Sequence, residues 1–195
     1  MTAKVERLHD TREAWLVAAI ELLRPLFDAA GATVPERVVV SVGFPGGRNI
    51  RKTIGQCWKT TAASDGLPHV FVSPVLADPL RVLTTLTHEL VHASDDCVSG
   101  HRGAFVRTAK VVGLVKPWTE SNAGEDLAGR LRLVLHNLGP YGHGAIVLDA
   151  LDEGKQTTRM LKVECPSCGC IMRTSKKWLD LGLPTCACGV EMVAA

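Results

Sequence analysis

The sequence predicts an α+β fold, with helices packed on a small sheet and a small cysteine-bearing module at the C-terminal end. Three observations lead there. Short β-branched runs at 38–44 and 69–74 alternate with segments of helical apolar period. Asp78-Pro79 offers an N-cap and a first-turn proline, and Leu80, Leu83, Leu86, Leu90 and Val91 then mark one apolar helix face. Four of the seven cysteines fall in two tight knuckles, Cys165-Pro166-Ser167-Cys168 and Cys186-Ala187-Cys188.

A chain of 195 residues suits one domain with an appendage. We expect a main domain over 1–118, a helical and linker segment over 119–158, and the cysteine module over 159–195. A hydrophobic content of 46% is enough for a true core, and a net charge of +2 makes local charge matter more than the total. No apolar run approaches the roughly 18 residues of a membrane span, and residues 1–7 lack the apolar centre of a signal peptide. The expectation is therefore a cytoplasmic, intracellular protein with no membrane partner. In that compartment clustered cysteines hold metal more often than they form disulfides.

The first helix is expected to open at Asp10, with Glu13 closing a capping box, and Pro25 to bend or end it. Trp15, Leu16, Ala19, Ile20, Leu22, Leu23 and Leu26 mark its buried side. The strand at 38–44 follows and stops at Pro45-Gly46-Gly47. Between Gly47 and Ala63 stand Arg48, Arg51, Lys52 and Lys59 with no acid, either a solvated face or a contact for a polyanion. The strand at 69–74 ends at Pro74 and reads either as a plain core strand or as one whose edge receives an extended peptide. A second acid-free basic stretch carries Arg102, Arg107, Lys110 and Lys116, and Asp126 to Leu138 reads as an amphipathic helix. The turn Gly139-Pro140-Tyr141-Gly142-His143 reads as a plain glycine turn, with Tyr141 or His143 as an oxyanion donor the weaker alternative.

The helix after Asp78 carries His88-Glu89-Leu90-Val91-His92. Histidines four apart lie on one helix face, one turn apart. That spacing lets both imidazoles reach one zinc ion, while Glu89 stands beside them to take a proton from an activated water. A catalytic zinc needs a third protein ligand and an open position. His101 is the best candidate, returned by a turn and a second helix start. Asp95, Asp96 and Cys97 are rivals so close to His92 that the helix would have to break sharply. Val98 stands where a metzincin would place its third histidine.

The two cysteine knuckles lie 17 residues apart and read as a zinc ribbon, with Cys165, Cys168, Cys186 and Cys188 closing a tetrahedron around a structural zinc. Such an ion stands in for a core that so short a segment cannot build. Cys170 is expected free. From Arg159 to Lys177 the bases Arg159, Lys162, Arg173, Lys176 and Lys177 face the single acid Glu164, and Trp178 follows. Arg173, Lys176, Lys177 and Trp178 suit a nucleic-acid strand, through phosphate contacts and base stacking, although Trp178 could equally pack beneath the ribbon.

Taken in order, Gly55-Gln56-Cys57-Trp58, Val70-Phe71-Val72-Ser73-Pro74, the stretch from Leu83 to Ala93, and His101 with Phe105 resemble the SprT-like family of zinc metallopeptidases. The resemblance spans about residues 35–115 and recurs in the zinc ribbon. Family members often carry His-Gly where this chain has His101-Arg102-Gly103. It implies a zincin-like metallopeptidase domain and two Zn²⁺ ions, one catalytic at His88, His92 and His101, and one structural in the ribbon. It also implies hydrolysis of protein substrates, including DNA-bound or DNA-crosslinked ones, with Glu89 as the catalytic base. The contrasting expectation is a non-catalytic, nucleic-acid-binding adaptor in which both metals are structural. Glu89 argues against it, since a structural site has no use for that carboxylate.

Overall fold

The computed structural model describes residues 8–44, 52–148 and 160–194. The chain divides into two compact units, Met1–Leu148 and Asp149–Ala195. The described residues are mixed α and β, with two small sheets among them. The expected turn at Pro45-Gly46-Gly47, the bases Arg48, Arg51 and Arg159, and the start of the chain lie outside the described residues.

In the first unit, α1 (Arg12–Ala29) begins one residue later than the capping-box pattern predicts. Thr11 is the N-cap, its hydroxyl accepting from the Ala14 N–H at 3.0 Å. Glu13 is used elsewhere: its carboxylate accepts from the Val42 N–H at 2.9 Å and ties α1 to the sheet. Pro25 does not end the helix. Leu23 and Phe27, fully buried on either side of it, anchor both turns to the core, and packing outweighs the missing hydrogen bond.

The sheet holds β1 (Val39–Val42), β2 (Gly55–Trp58) and β3 (His69–Val72) in the order β1-β3-β2. β1 runs parallel to β3, and β2 antiparallel to it. The register aligns Cys57 with Val70 on the face toward the helices, and Trp58 with His69 on the other. β3 is thus bonded on both sides, as a plain core strand is, and offers no free edge. The border strands are β1 and β2, and β2 packs against the next helix.

That helix is α2 (Pro79–Ser94), the centre of the unit. The Asp78 side chain caps it by accepting from the Arg81 N–H, with Pro79 in the first turn. Every residue from Val82 to Ala93 is buried. Three of them, Thr84, Thr85 and Thr87, stay satisfied by donating to carbonyls one turn back. Leu83, Leu86 and Leu90 join Trp15, Val70 and Val72 in one core; removing such a leucine to alanine costs about 2–5 kcal/mol. Next come α3 (Gly103–Val112) and α4 (Glu125–Leu138). The helix expected in a connecting segment, α4, instead buries Leu127, Leu131 and Leu138 in this same core, against α1 and α2.

The second unit is a three-stranded antiparallel sheet, β5-β4-β6, of β4 (Met160–Glu164), β5 (Ile171–Ser175) and β6 (Val193–Ala194), with one short helix, α5 (Lys176–Leu179). Among the described residues, Val163, Cys165, Cys186 and Met192 form its buried cluster. So small an apolar core does not hold a fold by itself.

Candidate functional site

On α2, His88 and His92 sit one turn apart, and α2 ends at Ser94. The chain then turns back on itself. The Cys97 N–H bonds to the His92 carbonyl at 2.8 Å, with Asp96 and Cys97 in left-handed backbone at φ 52° and 58°. Two such residues in succession are costly, by about 1–3 kcal/mol each. The turn they make returns His101 to the helix just before α3. Its Nε2 lies 3.3 Å from that of His88 and 3.2 Å from that of His92. The three histidines form a group that could hold a metal ion.

The rival ligands point elsewhere. Asp96 accepts from the Thr60 N–H at 2.7 Å and from its hydroxyl at 2.9 Å. Asp95 accepts from the Ser99 N–H at 3.2 Å. Cys97 lines the same cleft but lies outside the group that the three histidines form. Beneath the triad lies Phe105, 1% exposed, its ring stacked on His92 at 4.3 Å and edge-on to His88 and His101. It fixes the three rings in place.

The electrostatics keep these imidazoles neutral. Burial, then the neighbouring His92, His101 and Arg81, pulls the pKa of His88 down to about 3. Burial, then His101, pulls His92 down to about 4, against a smaller opposing pull from Asp95, and burial lowers His101. Three neutral imidazoles facing one point put lone pairs against lone pairs. A cation at that point removes the conflict.

Glu89 is 5% exposed, and burial, with a lesser contribution from Cys97, pushes its carboxyl up to about 8. It stands against β2: a methyl group added at Gly55 would lie 2.5 Å from its Oε1 and 2.6 Å from Thr85 Cγ2. Only glycine allows that approach. The triad, Glu89 and the edge of β2 from Gly55 to Cys57 line one cleft of about 710 Å³, together with Arg81 and Ser121. Arg81 is held across it by the Ser121 carbonyl. Sequence reasoning did not single out Gly55, Cys57 or Arg81 as parts of the site. For Gly55 a signal existed, since a glycine inside a strand marks a close approach. Tyr141 and His143 are not among the cleft residues; Tyr141 packs edge-on against Trp15 at 4.8 Å.

In the second unit, Cys165, Cys168, Cys186 and Cys188 form a group that could hold a metal ion. The Sγ atoms of Cys165 and Cys188 are 3.5 Å apart, as are those of Cys168 and Cys186. Backbone N–H groups, that of Cys168 first, lower the pKa of Cys165 to about 7, and the Cys188 N–H lowers that of Cys186. Both shifts favour the thiolate that a metal needs. Cys170 is exposed and outside the group. Trp178 is 60% exposed rather than packed beneath the sheet, and Lys177 Nζ lies 5.5 Å from its ring centre. Lys162 is paired with Glu164 at 2.6 Å, whereas among the described residues no ion pair engages Arg173, Lys176 or Lys177. No helix among the described residues is long and apolar enough to cross a membrane.

Comparison with known proteins returns no match, whether to family models, to curated proteins or to solved structures.

Proposed function

We propose that this chain is a zinc-dependent endopeptidase of the SprT-like type, zincin-like in its first unit and carrying a structural zinc in its ribbon. The observation that carries the reading is the convergence of His88, His92 and His101 beside the buried carboxyl of Glu89, at the floor of an open cleft. Tetrahedral coordination at about 2.0–2.1 Å sets neighbouring nitrogens about 3.4 Å apart, and the 3.2 and 3.3 Å separations here suit it. In the ribbon, about 2.3 Å per thiolate sets sulfurs about 3.8 Å apart, close to the observed 3.5 Å. The first site leaves a ligand position open, and the second leaves none.

Zinc at the histidine site would polarise the scissile carbonyl and make water a nucleophile at neutral pH. Glu89 takes the proton from that water and then delivers it to the leaving amine. In the metal-free chain burial raises the pKa of Glu89 to about 8, so it is a stronger base than an exposed carboxylate. Arg81 and Ser121 line the cleft where a substrate would lie. The peptide is expected to run along β2, the border strand beside Glu89, and pair through its backbone. By the resemblance, the substrates are proteins bound or crosslinked to DNA, with Arg173, Lys176, Lys177 and the exposed Trp178 holding the nucleic acid.

Glu89→Gln tests the reading. It keeps the shape and all three ligands, so two zinc ions should remain bound per chain. Hydrolysis should fall by at least about 10²-fold, the lower bound for a lost general base. A variant that cleaves as fast as wild type would overturn the mechanism.

A further inference from the structure

Arg81 stands on the same face of α2 as the metal group. Arg81, Thr85, His88 and His92 recur at the helical spacing, and Arg81 lines the cleft with His88, Glu89 and His92. Seven residues set the Cα of Arg81 about 10.5 Å along the helix from that of His88. The Arg81 side chain is partly buried and fixed in direction. Its Nη1 donates to the Ser121 carbonyl and, at 3.4 Å, to Asn122 Oδ1. Among the described residues, Nε and Nη2 have no hydrogen-bond partner, and no carboxylate forms an ion pair with Arg81. A charge withdrawn from water without a counter-ion is costly. The unused nitrogens share one edge of the guanidinium, where two parallel N–H groups match the two oxygens of a carboxylate.

A second cation lies at this end of the cleft. Gly55 rests against Thr85 and Glu89, and further on Thr60 is bonded to Asp96, beyond the C-terminal end of α2. The residues before Gly55 therefore lie toward the N-terminal end of α2, where Arg81 stands. Lys52 is one of them, and it lines the same cleft. The acids of the cleft wall are Glu89 and Glu120. Glu89 is at the floor against Gly55, and Glu120 Oε2 accepts from Asn122 Nδ2 at 3.0 Å. Neither neutralises Arg81.

We propose that Arg81 is the specificity-determining residue of the cleft and grips a carboxylate of the peptide substrate through Nε and Nη2. The inference rests on the peptidase reading and adds a substrate class to it. An extended peptide advances about 3.3 Å per residue, so the two-turn offset from His88 puts the carboxylate about three residues from the scissile bond. The carboxylate belongs either to an Asp or Glu side chain or to the end of the substrate chain, and both present the same two oxygens. A backbone carbonyl offers one oxygen and leaves the charge of Arg81 unanswered. Lys52 adds attraction at the same end without the fork geometry.

The test titrates the zinc-loaded, full-length Glu89→Gln protein, which keeps the metal ligands, with three short peptides. One is blocked at both ends and carries a single Glu, the second is its Gln analogue, and the third is that analogue with a free C-terminal carboxylate. A peptide with the matching carboxylate should bind at least about 10-fold more tightly than the blocked Gln peptide, as for hydrogen bonds to a charged group. Preference for the Glu peptide makes the side chain the source, and preference for the free-ended peptide makes it the chain end. Adding Arg81→Gln should erase the preference, and Arg81→Lys, which keeps the charge but not the fork, should retain part of it. A preference that survives Arg81→Gln would place the carboxylate on the metal or on Lys52 and overturn the proposal. Equal affinity for all three peptides, or binding of none, would do the same. So would a loss shared by all three in both Arg81 variants, which would leave Arg81 only the task of holding the wall at Ser121. Cleavage by the wild-type protein is read separately. If it cuts none of the peptides bound through Arg81, the peptidase reading falls and Arg81 remains a carboxylate site.

Discussion

Gly55 rests against Glu89 so closely that a methyl group on its α-carbon would lie 2.5 Å from the carboxylate Oε1. The strand that borders the cleft and the carboxyl at its floor are therefore in contact, with no room for a side chain between them. Gly55→Ala must push Glu89 aside or lift β2 off α2. Because the histidine ligands project from α2 and the following turn, both metal ions should stay bound. A displacement of about 1 Å at a reacting group costs about 10²-fold in rate, and a loss of this order is expected in kcat. Wild-type turnover in Gly55→Ala would show that Glu89 is not the group that moves the proton.

The third ligand is tested by metal content. Wild-type protein should bind two zinc ions per chain, and a chelator should strip the open histidine site before the closed cysteine site. His101→Ala should lose the first ion and keep the second. Asp95→Ala and Asp96→Ala should keep both, since these carboxylates serve Ser99 and Thr60. Loss of the ion in either aspartate variant, with retention in His101→Ala, would reassign the ligand.

Much of this site was legible in the sequence because it is local. A helix repeat places His88, Glu89 and His92 by itself, and Asp78-Pro79 announces where that helix begins. The mixed α and β character and the metal-ready cysteines were legible for the same reason. What escaped depends on pairing across the chain. The residues of β3 fit a core strand and an edge strand equally well, because strand order is set by which strands meet, and β1 and β2 pair with it on either side. Glu13 fits a capping box by spacing, yet its carboxylate finds the Val42 N–H, 29 residues away. The return of His101 needs two left-handed residues, Asp96 and Cys97, and neither is the glycine that would have signalled them.

Acid should act on the metal-free protein through the same histidines. In the unfolded chain they take up protons as pH falls through about 6.5. In the folded, metal-free chain His92 resists until about pH 4 and His88 until about pH 3. Between those limits the unfolded state binds more protons, so stability falls as pH falls, by up to about 1.4 kcal/mol per pH unit for each histidine. Above pH 6.5 this loss is absent. Urea unfolding of chelator-treated protein from pH 7 to pH 4 should show the decline, and a His88→Leu, His92→Leu double variant should show a shallower one. Parallel curves would mean that the two imidazoles are not buried as described.

The last prediction separates a peptidase directed to nucleoprotein from a general one. Arg173, Lys176 and Lys177 stand on β5 and α5 with no ion pair among the described residues, next to the exposed indole of Trp178. If these residues grip a single strand, affinity should fall steeply with salt, because each phosphate contact releases counterions. Removing one contact should flatten the slope of log affinity against log salt by about 0.7. Lys176→Ala with Lys177→Ala should therefore weaken binding to all sequences alike and flatten the slope by about 1.4. Trp178→Ala should cost about 1–3 kcal/mol of binding if a base stacks there. Its effect on ribbon stability should stay within about 0.5 kcal/mol, as for a surface side chain; a larger loss in a melting experiment would place the indole in the fold rather than on the ligand. Cleavage of a DNA-bound protein should drop in the lysine double variant, while cleavage of a short free peptide should not. Absence of any DNA affinity at low salt would remove the nucleoprotein substrate and leave the peptidase chemistry at His88, Glu89, His92 and His101 standing on its own.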